Sequence, residues 1–546
     1  MQAMLRLWRT VRHMRWRQIA YRLYYKGVAP RVRPLGALPL RSWHSTAQWP
    51  AWQAQSVWPD GTCQFLNQMH AICVEQDWNT PDRSKLWLYN LHYLDELSAV
   101  QAVDRRSMHA LWWQRWLAEN PVGQGNGWEP YPLSLRIVNL VKWWSCEKGA
   151  SNEAWIASFV LQVQWLAARK EYHLLGNHLL ANAKALVFAG AFLDGAQAAA
   201  WLADGLSILD EQLAEQFLDD GGHFELSPMY HATMLWDVCD LLRLAALIPL
   251  PVLVERQAAW AAVIRRGLRW MHMMTHPDGR IAFFNDAAWG GAPSLPDLQL
   301  YAEQLQLEEN EGPEAQALRL RLRHCSASGY VRMEAGPQTV VIADVARIGP
   351  DYLPGHAHAD TLSFEFSLHG QRVLVNSGTS EYGEGTERNR QRGTAAHNTV
   401  QLAGVDSSEI WGGFRVGRRA YPRNISMNSS ADALHLQAEH SGYLWLGGLH
   451  KRSWCLEHAA LTVEDSVRGG SATAYFHFHP DIRLENAAAR TVNLHVRDQK
   501  IATLECSAGH LHLEPGTWHP AFGQVVPNLC LRVVFEGDRL QTRIHW

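Results

Sequence analysis

His356, His358 and Asp360 stand at alternate positions in GHAHADTLSFEF and run straight into an alternating apolar pattern. A β-strand turns alternate side chains to one face, so three titratable groups can converge at a strand entrance. Metal binding and proton transfer are the chemistries open to such a set, and the spacing alone does not choose between them.

Other strings carry polar groups at places where helices begin. In GNHLLANAKALVFAGAFL, Asn177 and His178 open an apolar helical pattern. Asn there is an ordinary N-cap, or else an amide and an imidazole are offered to an anion at the positive end of a helix dipole. GGHFELSPMYHATML gathers Glu225, Tyr230 and His231. Tyr230 is either a core residue or a proton-transfer group whose pKa is lowered from about 10 by cations or an imidazole. Arg136, two turns into the helix of GWEPYPLSLRIVNLVKWW, lies on the surface or turns inward as a fork for a carboxylate or sulfate. RNRQRGTAAHNTV holds Arg388, Arg390, Arg392 and His397, a basic cluster expected to line a groove. Among 26 tryptophans, Trp128, Trp289 and Trp411 sit in polar loop contexts, where a flat ring can stack on a sugar or simply pack.

The elements that must position these groups fall into two blocks. From about residue 85 to 325 apolar residues recur at helical spacing, whereas GYVRMEAG, QTVVIADVARI, TLSFEFSLHG and LCLRVVFEG alternate as strands do. Helices followed by strands argue for two domains and against an alternating parallel-sheet fold. The divisions expected are a basic arm at 1–60, a helical domain at 61–325 and a β domain at 326–546.

At 546 residues with 47% hydrophobic and 19% charged residues, the chain is globular and long enough for two cores. A net charge of -3 and the absence of any nucleic-acid fold motif argue against a nucleic-acid partner. The charge is uneven. The first 59 residues contain no Asp or Glu but carry Arg6, Arg9, Arg12, Arg15, Arg17, Arg22, Lys26, Arg31 and Arg33. Such an arm is either an amphipathic helix for an anionic membrane surface or polyanion, or a basic helix packed on the body. Arginines break up any apolar export signal, and the run ALVFAGAFLDGAQAAAWLA, with Lys184 before it and Asp194 within it, is a buried helix. Eight cysteines without a CxxC pair read as buried thiols.

The strings LWLYNLHYLDEL, GWEPYPLSLRIVN, GNHLLANAKALVFAGAFL, ELSPMYHATML, HPDGRIAFFNDA, GHAHADTLSFEF, NSGTSEYG, RQRGTAAHNTV and SEIWGGFRVGRRA together resemble the heparinase II/III family of polysaccharide lyases, especially relatives from capsule or exopolysaccharide clusters. The resemblance spans about residues 85–420 and implies an α+β multidomain fold, an N-terminal α/α toroid (an incomplete barrel) followed by an antiparallel β-sandwich. It further implies β-elimination on a uronic-acid-containing polysaccharide, with Asn177, His178, Tyr230 and His356 catalytic and Arg136 helping to hold the carboxylate; Trp128, Arg388 and Arg392, read from their own contexts, are expected to contact the acidic polymer.

No cofactor is required by that reaction. Metal-bearing relatives hold a structural zinc, at positions matching His358, Asn376 and His397 here. The usual Asp is replaced by Asn376, a much poorer zinc ligand, so a hydrogen-bonded cluster of the three is expected ahead of zinc, with Asp360 or water the remaining route to a full shell. Family relatives work in the cell envelope, which implies the periplasm; the arginine-broken start leaves a cytoplasmic or inner-membrane-peripheral location as the alternative. The rival functions are a non-catalytic polysaccharide-binding or assembly component and a metal-dependent hydrolase. HxHxD resembles the opening of the HxHxDH motif of metallo-β-lactamase-like hydrolases, but Thr361 stands where its last histidine belongs.

Overall fold

Apolar side chains recurring every three to four residues give the first half its helices, and the turn-forming strings between them set where each one stops. The computed structural model describes residues 2–30, 32–42, 48–146, 151–307 and 320–546. An N-terminal arm holds α1 (Gln2–Val11) and α2 (Trp16–Gly27), and a small hairpin follows, β1 (Thr62–Phe65) with β2 (Gln68–Ala71). Next come α3 (Lys85–Tyr93), α4 (Arg106–Glu119), α5 (Pro130–Ser145), α6 (Glu153–Ala168), α7 (Gly176–Phe192) and α8 (Ala196–Gln216). The helical half ends with α9 (Pro228–Leu247), α10 (Pro251–Val254), α11 (Gln257–Met273) and α12 (Leu295–Gln304).

Helices α3, α5, α7 and α9 pack as successive neighbours, with α6, α8 and α11 against them. Nearly every residue of α7 is buried while α8 keeps an exposed face, so α7 belongs to the inner layer of an α/α toroid. Lys184 is inside as well. Its Nζ binds Asp237 and Asp240, each at 2.5 Å, and Asp240 also takes Lys142 at 2.6 Å and the Tyr301 hydroxyl at 2.9 Å. This network ties α5, α7, α9 and α12 together, since a buried charge persists only when it is paired.

The second half opens with a five-stranded antiparallel sheet in the order β3 (Leu320–Cys325), β4 (Tyr330–Ala335), β5 (Val340–Asp344), β6 (Phe364–Leu368), β7 (Gln371–Leu374). It is covered on both faces. Val340 and Ile342 pack on Trp270, Met273, Met274 and Phe284 of the helical half, while Val341 and Ala343 face the β core. Burial on both sides is why QTVVIADV is a continuous apolar run where a half-exposed strand would alternate. The boundary drawn at 325 falls at the end of β3 instead of ahead of it, because Arg321 and Arg323 continue the polar composition of the preceding segment.

After α13 (Thr386–Arg392) come β8 (Val400–Leu402) and a short hairpin, β9 (Ile410–Trp411) with β10 (Arg415–Val416). Then follow β11 (Pro422–Ser429), β12 (Ala433–His440), β13 (Leu449–Glu457), β14 (Ala460–Arg468) and β15 (Ala472–His477). The chain finishes with β16 (Ile482–Ala488), β17 (Thr491–Val496), β18 (Gln499–Cys506), β19 (His510–Trp518), β20 (Val526–Phe535) and β21 (Arg539–His545). They form a four-stranded sheet, β19-β20-β15-β8, and an eight-stranded sheet, β11-β12-β13-β14-β21-β18-β17-β16. One apolar core joins these sheets to the five-stranded one, completing an antiparallel β-sandwich. The cysteines are all free; Cys73 is exposed and Cys146 and Cys455 are half-buried, so the expectation of uniformly buried thiols is corrected at those three. Among the described residues no helix is long and apolar enough to cross a membrane.

Candidate active site

Four turns between the two halves carry the site, each through a residue in the left-handed region. Leu175, Leu226, Asn285 and Leu362 have φ of 70°, 59°, 55° and 65°, and for an L side chain that region costs on the order of 1 kcal/mol or more. Each lies within two residues of Asn177, Glu225, Asp286 or Asp360. Asn285 shows how such a backbone is held. Its side chain donates to Leu226 O at 3.0 Å and accepts from His358 N–H at 3.0 Å, and its own N–H reaches Asp360 at 3.2 Å.

Gly176 opens α7 at φ 58°, where a Cβ would stand 2.2 Å from Leu353 Cδ2 and 3.2 Å from Glu225 Oε1. The loop before His356 and the carboxyl of Glu225 therefore both press on the mouth of α7. Leu175 occupies the cap position, so Asn177 is the second residue of the helix and not its N-cap. Beside it His178 Nδ1 lies 3.0 Å from Glu171 Oε1, and the ring packs on Tyr131. Burial pulls the His178 pKa down, but Glu171, with Glu225 and Glu129 behind it, carries the balance upward and favours the imidazolium.

Ser227 caps α9 by accepting the Tyr230 N–H at 3.2 Å, which turns the Tyr230 ring toward the β domain. The ring stacks on the imidazole of His356 at 3.9 Å between centroids, and the two hydroxyls of Tyr230 and Tyr382 share a hydrogen bond at 2.9 Å. Burial, then Tyr382 and Asp286, push the Tyr230 pKa well above that of a free phenol. A cationic cleft lowering that pKa was the expectation; burial, the Tyr382 hydroxyl and Asp286 raise it instead, despite the stacked His356 imidazole, and Tyr230 keeps its proton at neutral pH.

Asp286 organises the centre. Its Oδ2 accepts His356 Nδ1–H at 2.8 Å and Arg388 at 2.7 Å, and its Oδ1 accepts His358 Nε2–H at 2.9 Å and the other arm of the Arg388 fork. Burial alone would raise the Asp286 pKa, but Arg388 and the two imidazoles bring it well below the ordinary carboxylate range. In the neutral ring, an ionised Asp286 fixes the His356 proton on Nδ1 and leaves the lone pair on Nε2. That Nε2 lies 3.5 Å from Glu225 Oε2. Among the described residues neither oxygen of Glu225 makes a close hydrogen bond, and burial raises its pKa against the opposing pull of His356, His178 and the Asn177 backbone N–H.

The geometry thus gathers Asn177, His178, Tyr230 and His356 around Glu225. It does not gather the residues expected to bind substrate. Arg136 of α5 is fully buried, donating to Gln162 Oε1 at 2.8 Å, His92 O at 2.9 Å and Gly127 O at 2.6 Å, with Trp116 against its guanidinium. Trp128 is buried too, its indole N–H bound to Asn120 O. Arg388 is sealed behind Asp286 and also donates to Gly413 O at 3.1 Å. Arg392 is likewise interior, its Nε bound to Ala357 O at 2.9 Å, and burial brings its pKa down to about 9. Arg388 and Arg392 thus support the site from within, Arg388 neutralised by Asp286 and Arg392 held through its Nε, whereas Arg390 is exposed and pairs with Glu387. Trp289 lies beneath Arg280 and Arg372, and Trp411 lies between Arg6 and Arg415, so neither ring is free for a sugar. Replacing Arg136 by Met should lower unfolding free energy by about 3 kcal/mol in urea titration, through three carbonyl partners left unpaired. A surface ligand for substrate would instead leave stability intact and raise KM.

Asp286 and Tyr382 were not singled out from sequence. FFNDA and NSGTSEYG both contain the signal, but only folding shows which of their polar residues meet His356 and Tyr230.

The positions matched to zinc divide. Asn376 donates its amide to Phe283 O at 2.9 Å and accepts from Asn398 N–H at 3.2 Å, so it belongs to the backbone scaffold and not to a ligand shell. His358 Nδ1 faces His397 Nε2 at 3.1 Å, while His397 Nδ1–H donates to Gly393 O at 2.8 Å. With both ring protons turned outward, two lone pairs point at one another, which calls for a cation between them. Burial holds His358 down to about 4 and His397 to about 3, so neither ring supplies a proton at neutral pH. One ligand atom each from His358, Asp360 and His397 lies within 4.8 Å of the others. This donor set of two imidazoles and a carboxylate fits zinc.

Comparison with known proteins follows the same division of the chain. Residues 96–303 match the family region described as Heparinase II/III N-terminus, and residues 318–546 match Heparinase II/III-like, C-terminal. A heparin-sulfate lyase of Bacteroides stercoris is 28% identical over 243 residues, 42% of this chain and 36% of that protein. A heparin-sulfate lyase of Pedobacter heparinus is 24% identical over 367 residues, 60% of this chain and 53% of that protein. The alignments therefore span about half or less of those relatives' length. The crystal structure of a heparinase III superposes with a TM-score of 0.68 at 18% identity, covering 86% of this chain and 79% of that one, and shares the toroid and sandwich. With both family regions present in order and together taking in most of its length, the chain belongs to the heparinase II/III family.

Proposed function

We propose that this protein is a polysaccharide lyase that cleaves an acidic, uronic-acid-containing polysaccharide by β-elimination. One observation carries the reading: a protonated phenol, Tyr230, is stacked at 3.9 Å on the imidazole of His356 beside the mouth of α7. Elimination needs the C5 proton removed, the C4–O4 bond broken and O4 protonated, with the uronate carboxylate neutralised so that C5 becomes acidic. His356 Nε2 takes the C5 proton, and Tyr230 delivers its phenolic proton to O4 as the C4=C5 double bond forms. The imidazolium then returns a proton to the tyrosinate through solvent. Asn177, the cationic His178 and the α7 N-terminus face the carboxylate, with Glu225, whose pKa burial raises, beside them. Roles follow from protonation state: the raised pKa of Tyr230 makes it the acid and leaves the base to His356.

The test is absorbance of the unsaturated uronate near about 230 nm on incubation with a panel of acidic glycans. Cleavage without that absorbance would reject elimination, and binding of the polymers without cleavage would support a carbohydrate-binding role instead.

We further propose that His358, Asp360 and His397 hold a structural zinc. It would cross-link the strand entrance to the loop after α13 and supply no step of the reaction. Elemental analysis of the purified protein should find about one zinc per chain, and prolonged dialysis against a chelator should lower Tm by about 5 °C or more. Full stability at zero metal content would leave the hydrogen-bonded pair as the whole of the cluster.

A further inference from the structure

Helices α1 and α2 pack the opposite way to ordinary amphipathic surface helices. The side of α1 that meets the protein is polar: Arg9 forks onto Glu409, Thr10 accepts the indole N–H of Trp411 at 3.1 Å, and Arg6 covers the Trp411 ring. In α2 the inward residues include Gln18, which donates to Leu174 O and Tyr352 O. Arg15 lies over Tyr352 and pairs with Glu215. Tyr21 and Tyr25 pack inward on Tyr172 and His173, but the other apolar residues are left outside. Met4, Leu7, Trp8 and Val11 share one face of α1 at helical spacing, and Trp16, Ile19 and Leu23 share one face of α2. Trp8, Trp16 and Leu23 are 59%, 78% and 67% exposed.

Turning two tryptophans and a row of aliphatic side chains outward is unfavourable in water, at roughly 25 cal/mol for each Å² of apolar surface left uncovered. Charge indicates what covers them. The first 59 residues contain no carboxylate side chain, and among the described residues Arg12, Arg22 and Lys26 pair with none. An apolar face flanked by unmatched cations fits the headgroup region of an anionic bilayer, where Trp sits at the boundary and Arg and Lys reach the phosphates. A polyanionic sugar would satisfy the cations and could stack on the tryptophans, but it would leave Met4, Leu7, Val11, Ile19 and Leu23 uncovered. The arm also lies outside the family regions, which begin at residue 96.

We infer that α1 and α2 form an anionic-lipid docking surface. The inference is independent of the lyase reading. Because α1 is anchored on the β9 and β10 hairpin and α2 on the toroid beside Leu174, the arm straps the two halves next to the α7 mouth. Docking would hold the cleft at the membrane face.

The experiment is flotation of the full-length protein with phosphatidylcholine vesicles containing about 30 mol% phosphatidylglycerol, against pure phosphatidylcholine. The protein should float with the anionic vesicles only, and about 0.5 M salt should release most of it. The triple variant Trp8→Glu/Trp16→Glu/Leu23→Glu, and separately Arg12→Glu/Lys26→Glu, should each lower the bound fraction by about tenfold or more, with Tm and elution volume of the monomer unchanged. Failure of the parent to float, or equal flotation of either variant, would overturn the inference. A parent dimer that the triple variant dissociates, with neither protein captured by vesicles, would assign the face to a second copy and overturn it equally.

Discussion

Replacing Tyr230 by Phe should lower kcat by about a thousandfold or more while leaving KM within about threefold. Phe keeps the ring that stacks on His356 and fills the same space against α9, so the cost to stability should stay below about 1 kcal/mol. What disappears is the proton assigned to the departing O4, together with the hydrogen bond to the Tyr382 hydroxyl at 2.9 Å. Tyr382→Phe separates the two losses. It removes the same hydrogen bond but leaves the Tyr230 proton, and should lower kcat far less. Initial-rate kinetics by uronate absorbance, with binding measured by calorimetry, checks both variants. Unchanged turnover in Tyr230→Phe would remove Tyr230 from the mechanism.

The second large effect is expected at Asp286. Asn has the same shape, but its amide carries no charge and presents a donor where one carboxylate oxygen was. Arg388, fully buried, would lose its counter-charge, and breaking a buried pair from one side costs about 3–5 kcal/mol. His356 would lose the acceptor that holds its proton on Nδ1 at 2.8 Å, and the alternative tautomer turns Nε2–H toward the cleft, where a base is needed. We expect Asp286→Asn to lose about a thousandfold or more in kcat, with a clear fall in Tm. The two losses can be told apart. Arg388→Met restores a neutral interior and should recover part of the stability in the double variant, but it cannot return the imidazole to its tautomer, so kcat should remain low. Recovery of kcat together with stability would mean that Asp286 acts only through the fold.

The switch from helical to strand periodicity near residue 320 follows from side-chain spacing, a local property, and the helical and β halves were legible from it. Asn177, His178, Tyr230 and His356 stood out as polar groups at helix and strand entrances, but locally each also read as a cap, core or metal-binding residue, and only the resemblance singled them out as a set. The arginines were not legible. Arg136, Arg388 and Arg392 read as surface or groove residues because a guanidinium is expensive to bury, and nothing local reveals the carbonyls of His92, Gly127 and Ala357 or the carboxylate of Asp286 that compensate it.

The same limit applies to Asp286 and Tyr382, which earn their places only by meeting His356 and Tyr230 across the two halves. It applies to the proposed zinc ligands, where tertiary contact turns Asn376 to the backbone and brings Asp360 toward the imidazoles of His358 and His397. It applies also to the arm, whose amphipathic pattern is plain in the sequence but whose inverted orientation depends on Glu409 and Trp411, four hundred residues away along the chain. By itself the sequence determined the elements and the polar residues at their entrances, since both depend on neighbours within a few positions. Only the tertiary structure decided which charges are buried and which atoms carry the protons, because desolvation and pairing are set by groups that the chain brings together from far apart.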